Sequence, residues 1–193
     1  AIEQEIKSRP NANLYEQSGL YLAPREGGKL AGMEESFMSN LAHRIPGVAA
    51  SGRAYITFLN RLRADSFDAL YENLTKKKEA TPEQLNAISS YINTATGRGK
   101  LGAFEKAAEG LATTFFSPRL VTSRFQLLMG EPMWKGDAST RYLIAKEYAK
   151  FLTGLGVMYG LASMAGADIE TDPRSSDFGK MKFGNTRVDP LSG

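Results

Sequence analysis

Between residues 51 and 74, Tyr55, Phe58, Leu59, Leu62, Ser66, Ala69 and Leu70 recur at three- and four-residue intervals, while Arg53, Arg61, Arg63, Asp65, Asp68 and Glu72 fall largely elsewhere. This spacing predicts an amphipathic helix of about six turns, at 3.6 residues per turn. Lys76-Lys77-Lys78 closes it, where cations complement the C-terminal dipole. Thr81-Pro82-Glu83-Gln84 then opens a second helix with an N-cap, a first-turn proline and a capping-box glutamine. That helix runs through Leu85, Ile88 and Ile92 and stops near Gly97. A short helix is expected over residues 33–44, ended by Ile45-Pro46-Gly47, because proline disfavours helical geometry in the residue before it. Another begins at Ala103, and Ser117-Pro118 restarts the chain as cap and first helical residue of a helix over 118–129. The last and longest starts at Asp137 or Ser139 and runs to Ala165, with Gly166 as its C-terminal cap.

The two ends read differently. Residues 1–32 are rich in turn formers around a short helical stretch at 14–18, which predicts an extended arm or linker without a core of its own. At the other end an acidic loop over 168–173 leads to Lys180-Met181-Lys182-Phe183, which faces Thr186-Arg187-Val188 across Gly184-Asn185 as a two-residue hairpin. The expected class is therefore mainly α: about six helices in an irregular array, with a small C-terminal β-hairpin. The expected organisation is an arm over 1–32, a helical module over 33–166, and a loop and hairpin over 167–193. The start at Ala1-Ile2-Glu3 and the stop at Leu191-Ser192-Gly193 read as a piece cut from a longer chain.

Composition narrows the chemistry. With no cysteine there is no thiolate nucleophile, disulfide framework or Cys-ligated metal, and with His43 as the only histidine any His-dependent site must use that residue. The formal net charge of +3 is spread along the chain rather than gathered in a basic tail, which permits a nucleic-acid partner without indicating one. No cofactor is implied.

Four features carry candidate function. Gly97-Arg98-Gly99-Lys100-Leu101-Gly102 has the G-x-G-x-x-G spacing of a phosphate-cradling loop, but a helix precedes it and no βαβ unit surrounds it, so a helix–helix turn is the plainer reading. Arg98 and Lys100, with Arg119 and Arg124, are the candidate phosphate or nucleic-acid contacts, and Arg53, Arg61 and Arg63 would enlarge that surface if all of them converged, but surface solvation and pairing with Asp65, Asp68 or Glu105 is the plainer role. Asp168, Glu170, Asp172 and Asp177 alternate as calcium ligands do, but Pro173 and Gly179 stand where a calcium loop carries glycine and glutamate, which favours a solvated acidic turn. The run 151–165 has no charge and contains Gly156 and Gly160 at close-packing spacing, with Phe151 and Tyr159 as the accompanying aromatic packing residues. It falls short of the roughly 20 apolar residues that span a bilayer, so a close-packed helix surrounded by other helices or subunits is favoured over membrane contact. His43 reads as a helix-end charge and Trp134 as an anchor for its connection.

Several separated stretches resemble a known family. Arg53-Ala54-Tyr55-Ile56-Thr57-Phe58-Leu59-Asn60-Arg61-Leu62-Arg63-Ala64-Asp65-Ser66-Phe67-Asp68, Ile92-Asn93-Thr94-Ala95-Thr96-Gly97-Arg98-Gly99 and Phe115-Phe116-Ser117-Pro118-Arg119-Leu120-Val121-Thr122-Ser123-Arg124 look like one of the large polyvalent-protein-associated domains of bacteriophages and mobile elements. Asp172-Pro173-Arg174-Ser175-Ser176-Asp177-Phe178-Gly179-Lys180 and Gly184-Asn185-Thr186-Arg187-Val188-Asp189-Pro190 belong to the same resemblance. It implies a module without catalytic residues inside a giant protein similar to internal virion or ejection proteins, which travel with the genome. The implied partners are other virion proteins (portal, tail or other ejection proteins) and further copies of the chain. DNA or membrane contact during delivery are the alternatives.

Overall fold

The computed structural model describes residues 2–23, 46–76, 78–102 and 118–190. The helices expected over 33–44 and from Ala103, together with His43 and the Ser117 cap, lie outside the described residues. Within them the chain is mainly α, with six α-helices and a small three-stranded sheet near the C-terminus. The helices are α1 (Ile2–Lys7), α2 (Ala12–Gln17), α3 (Pro46–Thr75), α4 (Pro82–Ala95), α5 (Pro118–Leu128) and α6 (Ala138–Met164). A 3-10 turn over Glu131–Trp134 separates the last two. The strands are β1 (Asp168–Ile169), β2 (Met181–Phe183) and β3 (Thr186–Val188). Two compact units, Ala1–Ile144 and Ala145–Gly193, divide inside α6, whereas the sequence reading placed the break after that helix.

The first unit is built on α3 and α4. Its core joins Ala64, Phe67 and Leu70 of α3 to Ile88 and Ile92 of α4, and to Ile6, Tyr15 and Leu20 from the start of the chain. Residues 2–23 are therefore not an extended arm: they fold as two short helices and a pinned strand-like segment. The reason lies in side-chain bonds that turn-former counting does not detect. Arg9 pairs with Glu5 and Asp65 at 2.7 Å each and with Asp68 at 3.1 Å, while Asn11 and Tyr15 donate to the Asp68 carboxylate. The Tyr15 ring meets Phe67 edge-on at 5.2 Å. Asn60 donates to the Ala23 carbonyl and accepts from its amide, and Asn93 treats the Gly19 carbonyl and the Tyr21 amide in the same way. Two buried or half-buried amides thus replace the strand partner that residues 19–23 lack.

The buried stripe of α3 also differs from the predicted one. Leu59, Asn60, Arg63, Ala64, Phe67 and Leu70 face inward, while Tyr55, Phe58 and Leu62 are exposed. Asn60 and Arg63 place polar side chains inside the buried face, which shifts the apparent apolar stripe around the helix. The start of α4 forms as expected. The Thr81 hydroxyl accepts from the Gln84 amide, the Gln84 side chain accepts from the Thr81 amide, and Gln84 Nε2 goes on to donate to Asp137 at 2.9 Å. Asp137 in turn accepts from the Thr140 amide and hydroxyl, so one glutamine links the caps of α4 and α6.

In the second unit, Gly166 at φ +87° ends α6 where the sequence placed its cap, with the Ala167 amide reaching back to the Ala162 carbonyl. The hairpin pairs Phe183 with Thr186 across Gly184-Asn185, as expected. Part of the acidic loop becomes a third strand, with Asp168 opposite Lys182 and Ile169 opposite Met181. Ala162, Ala167 and Met181 are the buried centre of this unit, packed by Met158, Tyr159 and Ile169.

Candidate functional site

The glycine loop after α4 is built for packing. Gly97 at φ +85° ends α4 with a paired reverse-bond motif, its amide on the Thr94 carbonyl and the Arg98 amide on the Asn93 carbonyl. Gly99 touches the backbone of α5: a Cβ there would overlap the Ser123 amide and lie 2.8 Å from the Arg119 carbonyl, which accepts the Gly99 amide. The Lys100 amide donates to the Gln126 side chain. All four amides from Gly97 to Lys100 are thus engaged by protein acceptors, and a phosphate could be held here only by side chains.

Three of the four candidate cations do meet. Arg98, Lys100 and Arg119 line one cavity of about 290 Å³ with Tyr21, Asn93 and Glu16. The Arg98 guanidinium lies over the Tyr21 ring at 3.7 Å from its centroid, and that of Arg63 lies 5.1 Å from the same ring. Arg124 does not line the cavity; five positions along α5 turn it about 140° from Arg119. The remaining candidates separate. Arg63 is fully buried, donating to the Thr96 hydroxyl and carbonyl at the end of α4. Arg53 and Arg61 line a different groove, of about 860 Å³, with Ile2, Lys7 and Phe58.

Two of the four acidic candidates in the tail are taken up by nearby cations, and a third, Glu170, accepts the Asp172 amide. Asp172 binds Arg174, and Asp177 binds Lys180 and Arg187, contacts that hold both carboxyls below their ordinary range. Among the described residues no three His, Cys, Asp or Glu side chains gather as a metal site requires.

Of the two expected kinds of cover for the uncharged part of α6, other helices of the same chain do not supply it: Phe151 is 61% exposed, Leu161 62% and Met164 86%, and Leu152 and Val157 are similarly open. Among the described residues, Gly154, Gly156 and Gly160 have nothing within 4 Å of where a Cβ would stand. Tyr159 is the exception among the four candidate packing residues, since it turns inward and donates its hydroxyl to the Gly179 carbonyl. No helix among the described residues is long and apolar enough to cross a membrane. Trp134 does not anchor its turn; it is 71% exposed, with Met133 packed over Gly130 instead.

Sequence reasoning missed Asn60, Asn93 and Arg9, the residues that fix the first 23 positions. A polar residue inside a helical stripe, as Asn60 is between Leu59 and Ala64, is the signal that could have found them. Comparison with protein-family models, with characterised proteins and with solved structures finds no match.

Proposed function

We propose that the chain is a non-catalytic structural and interaction module of a large phage protein of the internal virion or ejection type, held inside the particle and delivered with the genome. The phage setting is supported by the separated motifs that resemble the polyvalent-protein-associated domains. The interaction role is supported by one observation above all, the open, uncharged, glycine-containing face of α6. Glycine inside a helix costs about 1 kcal/mol relative to alanine, and none of Gly154, Gly156 and Gly160 is needed by a neighbour among the described residues. Three such positions beside exposed Phe151, Val157 and Leu161 fit a surface that another helix covers.

The occupant that fits best is a second copy of the chain. The stretch 151–164 carries no charge to repel its like, and each copy brings both the glycine notch and the large side chains that would fill it. Over 14 residues the face is about 21 Å long, enough for several turns of helix pairing. Other virion proteins would then be met by the assembled oligomer. Mass spectrometry of purified phage particles encoding this sequence is expected to find its peptides at more than one copy per particle. Particles that lack those peptides, while infected cells contain them, would remove the virion assignment.

A further inference from the structure

We propose that two copies of the chain pair through α6 in antiparallel orientation, with Gly156 of one copy opposite Gly160 of the other and Lys146 and Lys150 of each beside the other's Asp168 and Glu170. This inference rests on the self-assembly reading above and adds its direction and register. Ala149, Thr153, Gly156, Gly160 and Ser163 follow one another at alternating four- and three-residue intervals, and all five are exposed. At about 100° per residue they fall within an arc of about 80°, so they form one seam along the helix. Alternating threes and fours is the spacing that keeps two helices in contact over successive turns, and small side chains let their axes come close. Exposed Leu152 borders the seam on one side and exposed Val157 and Met164 on the other, which sets a ridge beside each trough. Met158, Tyr159 and Ala162 point away from the seam, into the small core shared with Met181 and Ile169, so the unit's own sheet packs elsewhere on the helix.

The seam alone would accept either direction, and the charges at its ends decide between them. Lys146 and Lys150 stand before the uncharged stretch, both exposed, and Asp168 and Glu170 follow it. Lys150 pairs with Glu147 at 2.7 Å, whereas Lys146 and Asp168 take part in no ion pair among the described residues. Parallel copies would set lysines beside lysines at one end and carboxylates beside carboxylates at the other. Antiparallel copies set the lysines of each beside the carboxylates of the other, twice over by the two-fold symmetry. They also bring those cations to the C-terminal end of the facing helix, the end that favours positive charge. The register follows from the same residues. With Gly156 opposite Gly160, Thr153 lies opposite Ser163 and Lys150 comes level with Gly166, two positions before Asp168.

Because the chain has no cysteine, single substitutions report only the contact they introduce. Thr153→Cys and Ser163→Cys are made in the intact chain and oxidised mildly, alone and as an equimolar mixture, at concentrations where light scattering shows association. A disulfide needs Cβ atoms about 4 Å apart. The proposed register brings 153 and 163 of different copies together and holds two copies of 153 about 15 Å apart along the axis. The mixture should therefore cross-link at least tenfold more than either variant alone. A second arm reverses the charges: Lys146→Glu/Lys150→Glu and Asp168→Lys/Glu170→Lys should each weaken self-association about tenfold, and mixing the two should restore it. Cross-linking of each variant alone as efficiently as the mixture, or none in an associated sample, would overturn the antiparallel register while leaving self-assembly in place. A chain that stays monomeric by light scattering would overturn the self-assembly reading and this inference together.

Discussion

Asn60 shows how one side chain can decide the conformation of a distant segment. It is buried in α3 and satisfies both polar backbone atoms of Ala23 at 2.8 Å. Truncation to alanine leaves those two groups without partners, and each unmet buried group costs about 1–3 kcal/mol. Asn60→Ala is therefore expected to lower unfolding stability by about 2 kcal/mol or more, read from urea titration; a change within error would mean that residues 19–23 are held by other contacts. Asp137 makes a second residue-scale prediction. The Thr140 hydroxyl and amide, followed by Ser139 and Gln84, hold its carboxyl well below the ordinary carboxylate range. A depressed folded-state pKa gives stability that is present above the unfolded value near 3.9 and is lost as pH falls through the folded one. The wild-type unfolding midpoint should thus drop below about pH 4 more steeply than that of Asp137→Asn, which keeps a good cap without the titration. Parallel acid limbs would contradict the assignment.

At the scale of elements, the parts that were legible in the sequence are those governed by local chemistry. The Thr81 capping box, the Gly97 and Gly166 helix ends and the Gly184-Asn185 hairpin each follow from a few adjacent residues, and each stands where the pattern put it. What was not legible depends on distant partners. The arm reading of residues 1–32 failed over 2–23 because Arg9, Asn11 and Tyr15 find Asp65 and Asp68 more than 50 positions away. The α3 stripe was displaced because a buried Arg63 looks solvent-facing until Thr96 is seen to receive it. The candidate cations were split for a similar reason: composition groups seven arginines and lysines, but only the packing of Gly99 against α5 decides that Arg119 joins Arg98 and Lys100 while Arg124 does not. For α6 the period carried little information, since an all-apolar run reads alike whether its cover lies in the same chain or in another.

For the whole molecule, the physical imbalance lies in the second unit, whose buried centre is three residues while exposed apolar side chains line much of its helix. A centre that small is marginal without support from outside itself. The proposed assembly through α6 would supply that support, and it separates from helix propensity in a way that a purely internal role would not. Gly156→Ala and Gly160→Ala meet nothing within 4 Å among the described residues and should each stabilise the isolated helix by about 0.5–1 kcal/mol. Leucine at the same two positions keeps helix propensity high but fills the notch that a second helix would enter. The most direct measurement is light scattering of the intact chain across a wide concentration range, compared with the Gly156→Leu/Gly160→Leu double variant. Self-assembly through this face predicts a mass that rises to a dimer or higher oligomer with concentration in the wild type and stays monomeric in the double variant. A wild-type chain that remains monomeric throughout, or a double variant that associates equally well, would contradict it.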